Sequence, residues 1–226
     1  MMNPITEQDI ANFLAHNPEF FERHAELLST IQLSSPHGNR AVSLQERQAE
    51  MLREKIKALE QRIMEMIRHG NENTVISDRL QRWVRALLLA REPRDLPALI
   101  AREAAAQFLV PQVVVRVWGV AAPHAAEPFA QGASDSVRSF ATSLSAPYCG
   151  VNASFEAVQW LDDPAAAASL VLLPLRAGAI NSPGEAFGLM VLASPDAQRF
   201  HAGMGTDFLE HMAELASAAL SRLRHD

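Results

Sequence analysis

The sequence holds one cysteine, Cys149, and eight histidines, the residue types from which a nucleophile–base pair is built. Cys149 with His124 or His201 as base is the arrangement available to a thiol nucleophile. However, Tyr148-Cys149-Gly150-Val151 reads as a short strand, where a cysteine is expected to be a small buried residue. The histidines show neither His-x-His nor His-Glu-x-x-His spacing and one cysteine excludes Cys-x-x-Cys, so no metal-ligand pattern is written in the chain. Gly203-Met204-Gly205-Thr206 precedes a helical run and could offer backbone N–H groups to a phosphate. It lacks the lysine of a P-loop and does not directly follow a strand, so a tight turn closed by Thr206 as N-cap is the expected reading. Arg199 and His201 beside it could meet an anion or pin the turn to Asp196 or Asp207. Arg79, Arg82 and Arg85 recur every third residue, with Arg91 and Arg94 after them. They read either as a solvated helix face or as a docking strip for an acidic partner or nucleic acid. No acid–base or nucleophile set converges, and the chain is not expected to be an enzyme.

Composition narrows the classes further. The 226 residues allow one full-sized domain with a helical extension, and 48% hydrophobic with 20% charged residues is ordinary for a globular protein. A net charge of −6 and pI of about 5.8 lack the basic footprint of nucleic-acid binders, so direct nucleic-acid binding by the chain as a whole is not expected. A single cysteine rules out an intramolecular disulfide framework and suits a reducing compartment. Residues 1–7 carry no secretory pattern, and no apolar run approaches the roughly 20 residues of a membrane span. The longest, Ser169 to Leu175, is short and contains Pro174, so it reads as a buried strand. A cytoplasmic protein without membrane association is expected.

The elements that must position these residues fall into three parts: short helices over 1–42, a long helix over 43–92 and an α/β domain over 93–226. Thr6 with Asp9 approximates a capping box, Ile10, Phe13 and Leu14 share a helical face, and Asn17-Pro18-Glu19 ends one helix and starts another. Phe20, Phe21, Leu27 and Leu28 supply apolar contacts, and residues 34–39 read as a turn or linker. Ser43-Leu44-Gln45-Glu46 is a full capping box. Behind it Ala49, Leu52, Ile56, Leu59, Ile63 and Met66 alternate by three and four, the a/d seam of a coiled coil. The register then meets Gly70, Asn73 and Ser77 before Leu80, Val84 and Leu87, so the helix either breaks near His69-Gly70-Asn71 or runs through with a polar middle. Unbroken, it would be roughly 70 Å long. Beyond Glu92-Pro93, Asp95 is expected to cap a helix bearing Leu96, Leu99, Ile100, Ala104 and Phe108, and Gln112 to Trp118 is a central strand. Residues 121–140 are turn-rich with at most one weak strand. Ser169 to Arg176 and Ala186 to Ser194 are two strands of an antiparallel hairpin, and Thr206 opens a final amphipathic helix. The class is α+β: an antiparallel sheet flanked by helices, with the terminal helices together on one face.

The order of elements, the strand Leu172-Leu173-Pro174-Leu175-Arg176 and the run Phe187 to Leu192 resemble a GAF domain. Three motifs bring the resemblance closer: His16-Asn17-Pro18-Glu19-Phe20-Phe21 with Val42-Ser43-Leu44 and Glu46-Arg47-Gln48, Arg199 to Thr206, and Tyr148-Cys149-Gly150. With these the whole chain resembles the bacterial domain-of-unknown-function family four-eight-four, which has a GAF-like fold. The resemblance implies a sheet with a ligand cavity on one side and terminal helices on the other. Genes of that family often neighbour one for a tyrosine recombinase. The cyclic-nucleotide signature of GAF domains is missing, since Asn152-Ala153-Ser154-Phe155 is too short and lacks its lysine, and one cysteine is too few for the GAF-like methionine-sulfoxide reductases. If the sheet carries a pocket, Val115, Val117, Tyr148, Trp160, Leu172 and Met190 are the residues to line it, each of which could equally be core. The expected function is therefore regulatory: a GAF-like domain senses a small molecule or binds a protein partner, and Leu52, Ile56, Leu59, Ile63 and Met66 hold a homodimer. The alternative is an adaptor for recombinase-associated, DNA-processing machinery acting through the basic helix. The sequence does not single out a cofactor.

Overall fold

A computed structural model describes residues 5–30, 32–35, 38–182 and 184–224, with side chains described outside 28–45. Two compact units, Met1–Glu72 and Asn73–Asp226, meet inside one long helix.

In the first unit, α1 (Glu7–His16) begins at Thr6, whose hydroxyl accepts the Asp9 N–H while the Asp9 carboxylate accepts the Thr6 N–H at 2.9 Å, the reciprocal pattern of a capping box. These hydrogen bonds hold the Asp9 carboxyl below its ordinary pKa. Asn17 turns its amide to the Phe13 carbonyl, ending α1, and α2 (Glu19–Arg23) and α3 (Ala25–Thr30) follow. Where a turn or linker was expected at 34–39, β1 (Gln32–Ser35) pairs antiparallel with β2 (Gly38–Ser43) in a two-stranded ribbon. Of the stretch read as a turn or linker, Ser34, Ser35, Gly38 and Asn39 belong to these paired strands. Pro36 and His37, Pro183, and the side chains of Leu28 and Ser43 lie outside the described residues.

Helix α4 (Leu44–Leu88) settles the question of the seam, for it is unbroken across Gly70. One exposed glycine costs a helix only about 1 kcal/mol, less than the surrounding run of Glu, Lys, Arg and Gln sustains. At Gly70 a Cβ would meet nothing within 4 Å.

The second unit is a four-stranded antiparallel sheet, ordered β3-β6-β5-β4, from β3 (Gln112–Val117), β4 (Tyr148–Val151), β5 (Ser169–Leu175) and β6 (Gly188–Ser194). Strands β5 and β6 are buried along their whole length, as their continuous apolar sequences require. Gly188 is needed where it stands. A Cβ there would lie 2.8 Å from the Arg116 carbonyl oxygen and 2.9 Å from Leu175 Cδ1. On one face, α5 (Leu96–Phe108), α7 (Asp207–Leu220) and the last turns of α4 enclose a core that includes Trp83, Leu87, Ile100, Val115, Leu173, Met190 and Met212. The terminal helices thus share one face, as the α+β reading expected. By compactness, the end of α4 goes with this unit, because Trp83 is completely buried and its indole N–H donates to the Ile100 carbonyl at 3.2 Å.

The other face is covered by an element the sequence reading missed. Within the turn-rich stretch 121–140, Ser134 accepts the Val137 N–H as N-cap and opens α6 (Asp135–Ser143), which packs on β5 and β6. Two expected caps work differently. Asp95 makes no side-chain cap hydrogen bond to α5, and the Thr206 hydroxyl donates to the Glu210 carboxylate at 2.9 Å rather than accepting a backbone N–H.

Candidate functional site

Alternation along the strands decides which side chains can converge. Val115 and Val117 on β3 and Met190 on β6 point to the α5/α7 face and belong to its core. Tyr148 on β4 and Leu172 on β5 are register partners on the α6 face, where Trp160 also packs. The six residues expected to line one pocket therefore divide three and three across the sheet. Met190 pairs with Leu173 while Leu172 pairs with Val191, so one strand position separates the two groups. No single cavity can be lined by all six.

On the α6 face, a depression of about 200 Å³ lies between Ser136, Val137 and Phe140 of α6 and Phe155, Glu156 and Ala157. The Phe155 ring stacks at 5.4 Å from Phe140 and 4.9 Å from Tyr148, so Tyr148 supports this wall, and its hydroxyl donates to the Val151 carbonyl at 3.0 Å. Leu172 is fully buried in the cluster beneath. Glu156 accepts a hydrogen bond from the Ser134 hydroxyl at 2.9 Å, and the Trp160 indole donates to the Gly132 carbonyl at 3.0 Å. The strand expected to be central, β3, is instead an edge strand of the sheet, and Arg116 on it faces the same side, its guanidinium 5.9 Å from the Trp160 ring centroid. Its Nε–H is buried and has no hydrogen-bond partner among the described residues, and burial pushes its pKa below the usual value. Aromatic walls with one carboxylate suit binding. The volume is below the about 300–1,000 Å³ of drug-sized ligand sites, so it admits only a compact molecule. Ser136, Phe140, Phe155, Glu156 and Arg116 were not singled out from sequence. The available signal was the Ser134 cap followed by Val137, Phe140 and Ala141 at helical spacing.

The remaining candidates have structural explanations. Cys149 faces the α5/α7 core at 9% exposure, and burial raises its thiol pKa, the reverse of what a nucleophile needs. The Arg199 backbone N–H donates to the Asp196 carbonyl at 3.2 Å, so it ties to that residue, but its side chain pairs with neither the Asp196 nor the Asp207 carboxylate. Its guanidinium donates to the Phe108 carbonyl at 2.9 Å, where α5 ends in the left-handed Leu109, and lies 5.6 Å from the Phe200 ring centroid. The Met204 N–H closes a turn on the His201 carbonyl at 3.0 Å, so the glycine-bearing segment is the tight turn expected. Arg82 is tied to Gln107 at 3.0 Å, while Arg85 is exposed. Among the described residues no group of three His, Cys, Asp or Glu side chains could hold a metal ion, and no helix is long and apolar enough to cross a membrane.

The seam residues Leu52, Ile56, Leu59, Ile63 and Met66 are 54 to 72% exposed, a continuous apolar stripe on α4. A family model described as "Protein of unknown function, DUF484" matches residues 2–225. The chain belongs to this family. No curated protein matches it. Two solved structures resemble the DUF484 chain. One is a GAF domain, described as that of a sensor histidine kinase, from Pseudomonas syringae pv. tomato, at 16% identity and TM-score 0.45, covering 69% of this chain and 91% of its own. The other is the GAF domain of the potassium sensor histidine kinase KdpD from Escherichia coli, at 19% identity and TM-score 0.42, covering 65% of this chain and 94% of its own.

Proposed function

We propose that this DUF484 protein is a non-catalytic regulatory or interaction protein that homodimerises through α4 and uses its α/β domain to sense a compact small molecule or to engage a protein partner in the cytoplasm. The observation that carries the reading is the stripe Leu52, Ile56, Leu59, Ile63 and Met66, which an uninterrupted helix holds in a/d register with more than half of each side chain exposed. A monomeric chain gains nothing from that pattern, whereas a second copy would cover it. Covering each residue contributes about 1 to 2 kcal/mol. Five from each helix give about 10 to 20 kcal/mol, against an association cost of about 4 to 15 kcal/mol. The balance favours a dimer that dissociates on dilution. Ile56→Asp with Ile63→Asp puts two charges into each side of the seam. Sedimentation equilibrium should give a dimer mass for the unaltered chain and a monomer mass for the double variant, and an unchanged mass would refute the assignment. For the domain, the depression beside Phe140 and Phe155 is the sensing site proposed here, with Tyr148, Leu172 and Trp160 supporting it.

A further inference from the structure

A groove of about 240 Å³ lies in the α/β unit between the last turns of α4 and the C-terminal half of α7. Val84 and Leu88 of α4 face Leu215, Ala218 and Ala219 of α7 across it, and Arg222 is its one charged wall. The Arg222 guanidinium donates to the Ala90 and Arg91 carbonyls at 3.2 and 3.1 Å, so it ties the end of α7 to the end of α4. Leu88 is 79% exposed and Leu89 beside it 68%, whereas Trp83 and Leu87 are buried in the core. Large apolar side chains left this open beside an aliphatic groove mark a surface that another molecule covers. The small side chains of Ala218 and Ala219 let a helix approach closely.

The heptads of α4 say which molecule that is. Ile56 and Ile63 each follow a leucine by four residues and precede Leu59 and Met66 by three, so the isoleucines stand at a and Leu52, Leu59 and Met66 at d. β-Branched residues at a with leucine at d favour two parallel strands. Lys55 then stands at g and Glu60 at the following e, and in a parallel pair each Lys55 faces the Glu60 of the other copy. An antiparallel pair would set g against g, and Lys55 and Arg62 at those positions are both cationic. Continued through the unbroken helix, the same register puts Val84 at a, three heptads after Ile63. Leu87, at d, is buried in the domain's own core, while Val84 and Leu88 line the groove.

We infer that α4 pairs in parallel and in register, so that the α4/α7 groove of one copy is covered by the same groove of a second copy, with Leu88 of each packed against α7 of the other. The inference rests on the proposed α4 homodimer and adds its orientation and a second contact surface. Equal positions meet at equal positions, so the contact is isologous and closes at two copies. Through Met212 and Leu220, α7 also belongs to the domain core. Pairing there joins the dimer to the sheet as well as to α4.

Cross-linking of the full chain with a short bis-maleimide tests it. The native Cys149 is buried, so an introduced surface thiol reacts first. Met66→Cys and Leu88→Cys should each give a covalent dimer, whereas Leu109→Cys, exposed just past α5, should not. Leu88→Asp with Ala218→Asp should raise the dimer dissociation constant at least about tenfold in sedimentation equilibrium. Both side chains are exposed, so far-ultraviolet circular dichroism should be unchanged. Cross-linking by Met66→Cys without Leu88→Cys would overturn the inference and leave the α4 dimer standing. So would failure of Met66→Cys to cross-link in a chain that sediments as a dimer, cross-linking by Leu109→Cys equal to that by Leu88→Cys, or an unchanged dissociation constant in the aspartate variant. A monomer mass for the unaltered chain would overturn both the α4 dimer and this inference.

Discussion

Arg176 illustrates how one side chain can organise three segments. It leaves the end of β5, passes beneath the β5–β6 connection and donates to the carbonyls of Ala141, Thr142 and Leu144 at the C-terminal end of α6, where the helix dipole is negative. The same guanidinium reaches Gly184 in the connection, and the Arg176 backbone N–H donates to Ser217 of α7. Arg176→Leu would keep the apolar stem and strand but leave several buried carbonyls without donors. At about 1–3 kcal/mol for a buried polar group left unsatisfied, partly relieved by water, the expected loss is about 2–4 kcal/mol. It would be read as a lower urea midpoint with unchanged slope. Arg176→Lys should recover little, because an ammonium cannot span carbonyls arranged for a planar fork. An arginine ending a strand was visible in the sequence; its burial was not, because three of the four carbonyls it serves come from residues more than thirty positions away.

At the level of elements, what could be read from sequence was whatever depended on local periodicity. The strands at Tyr148, Ser169 and Gly188 and the amphipathic run of α7 are each written in their own residues, whereas the seam pattern left open whether α4 continues past Gly70. α6 was hidden because it is nine residues long and flanked by proline and glycine turns. The face assignment of Val115, Val117 and Met190 against Tyr148, Trp160 and Leu172 was hidden for another reason. Register is a property of paired strands, and a shift of one residue exchanges the faces. Within α4, Gly70 sits on the a/d seam with open space around it. Gly70→Ala should raise helix content and stabilise the chain by about 0.5–1 kcal/mol, since it removes backbone entropy from the unfolded state without a steric cost. Circular dichroism at 222 nm and the thermal midpoint would register this. A fall in either would mean that a partner helix approaches the seam too closely at Gly70 for a methyl group.

At the scale of the whole molecule, the boundary between the compact units falls inside α4, so one helix supplies both the exposed seam and part of a domain core. The residues that commit its last turns to the core are Trp83, completely buried, and Leu87, with Leu80 and Val84 packed beside them. They continue the three-and-four spacing of the seam, which is why sequence periodicity alone could not say where the seam ends and the core begins. If these turns are integral to the domain, Trp83→Ala should cost about 3–5 kcal/mol, the usual range for deleting a buried aromatic side chain. The two tryptophans that remain, Trp118 and Trp160, lie against the opposite face of the sheet and report on it without interference from position 83. In a cooperative domain their fluorescence transition in urea moves to lower concentration together with the far-ultraviolet signal, because loss of the α4 contact is felt across the sheet. Were the end of α4 merely laid on the surface, the fluorescence midpoint would stay where it is in the unaltered chain.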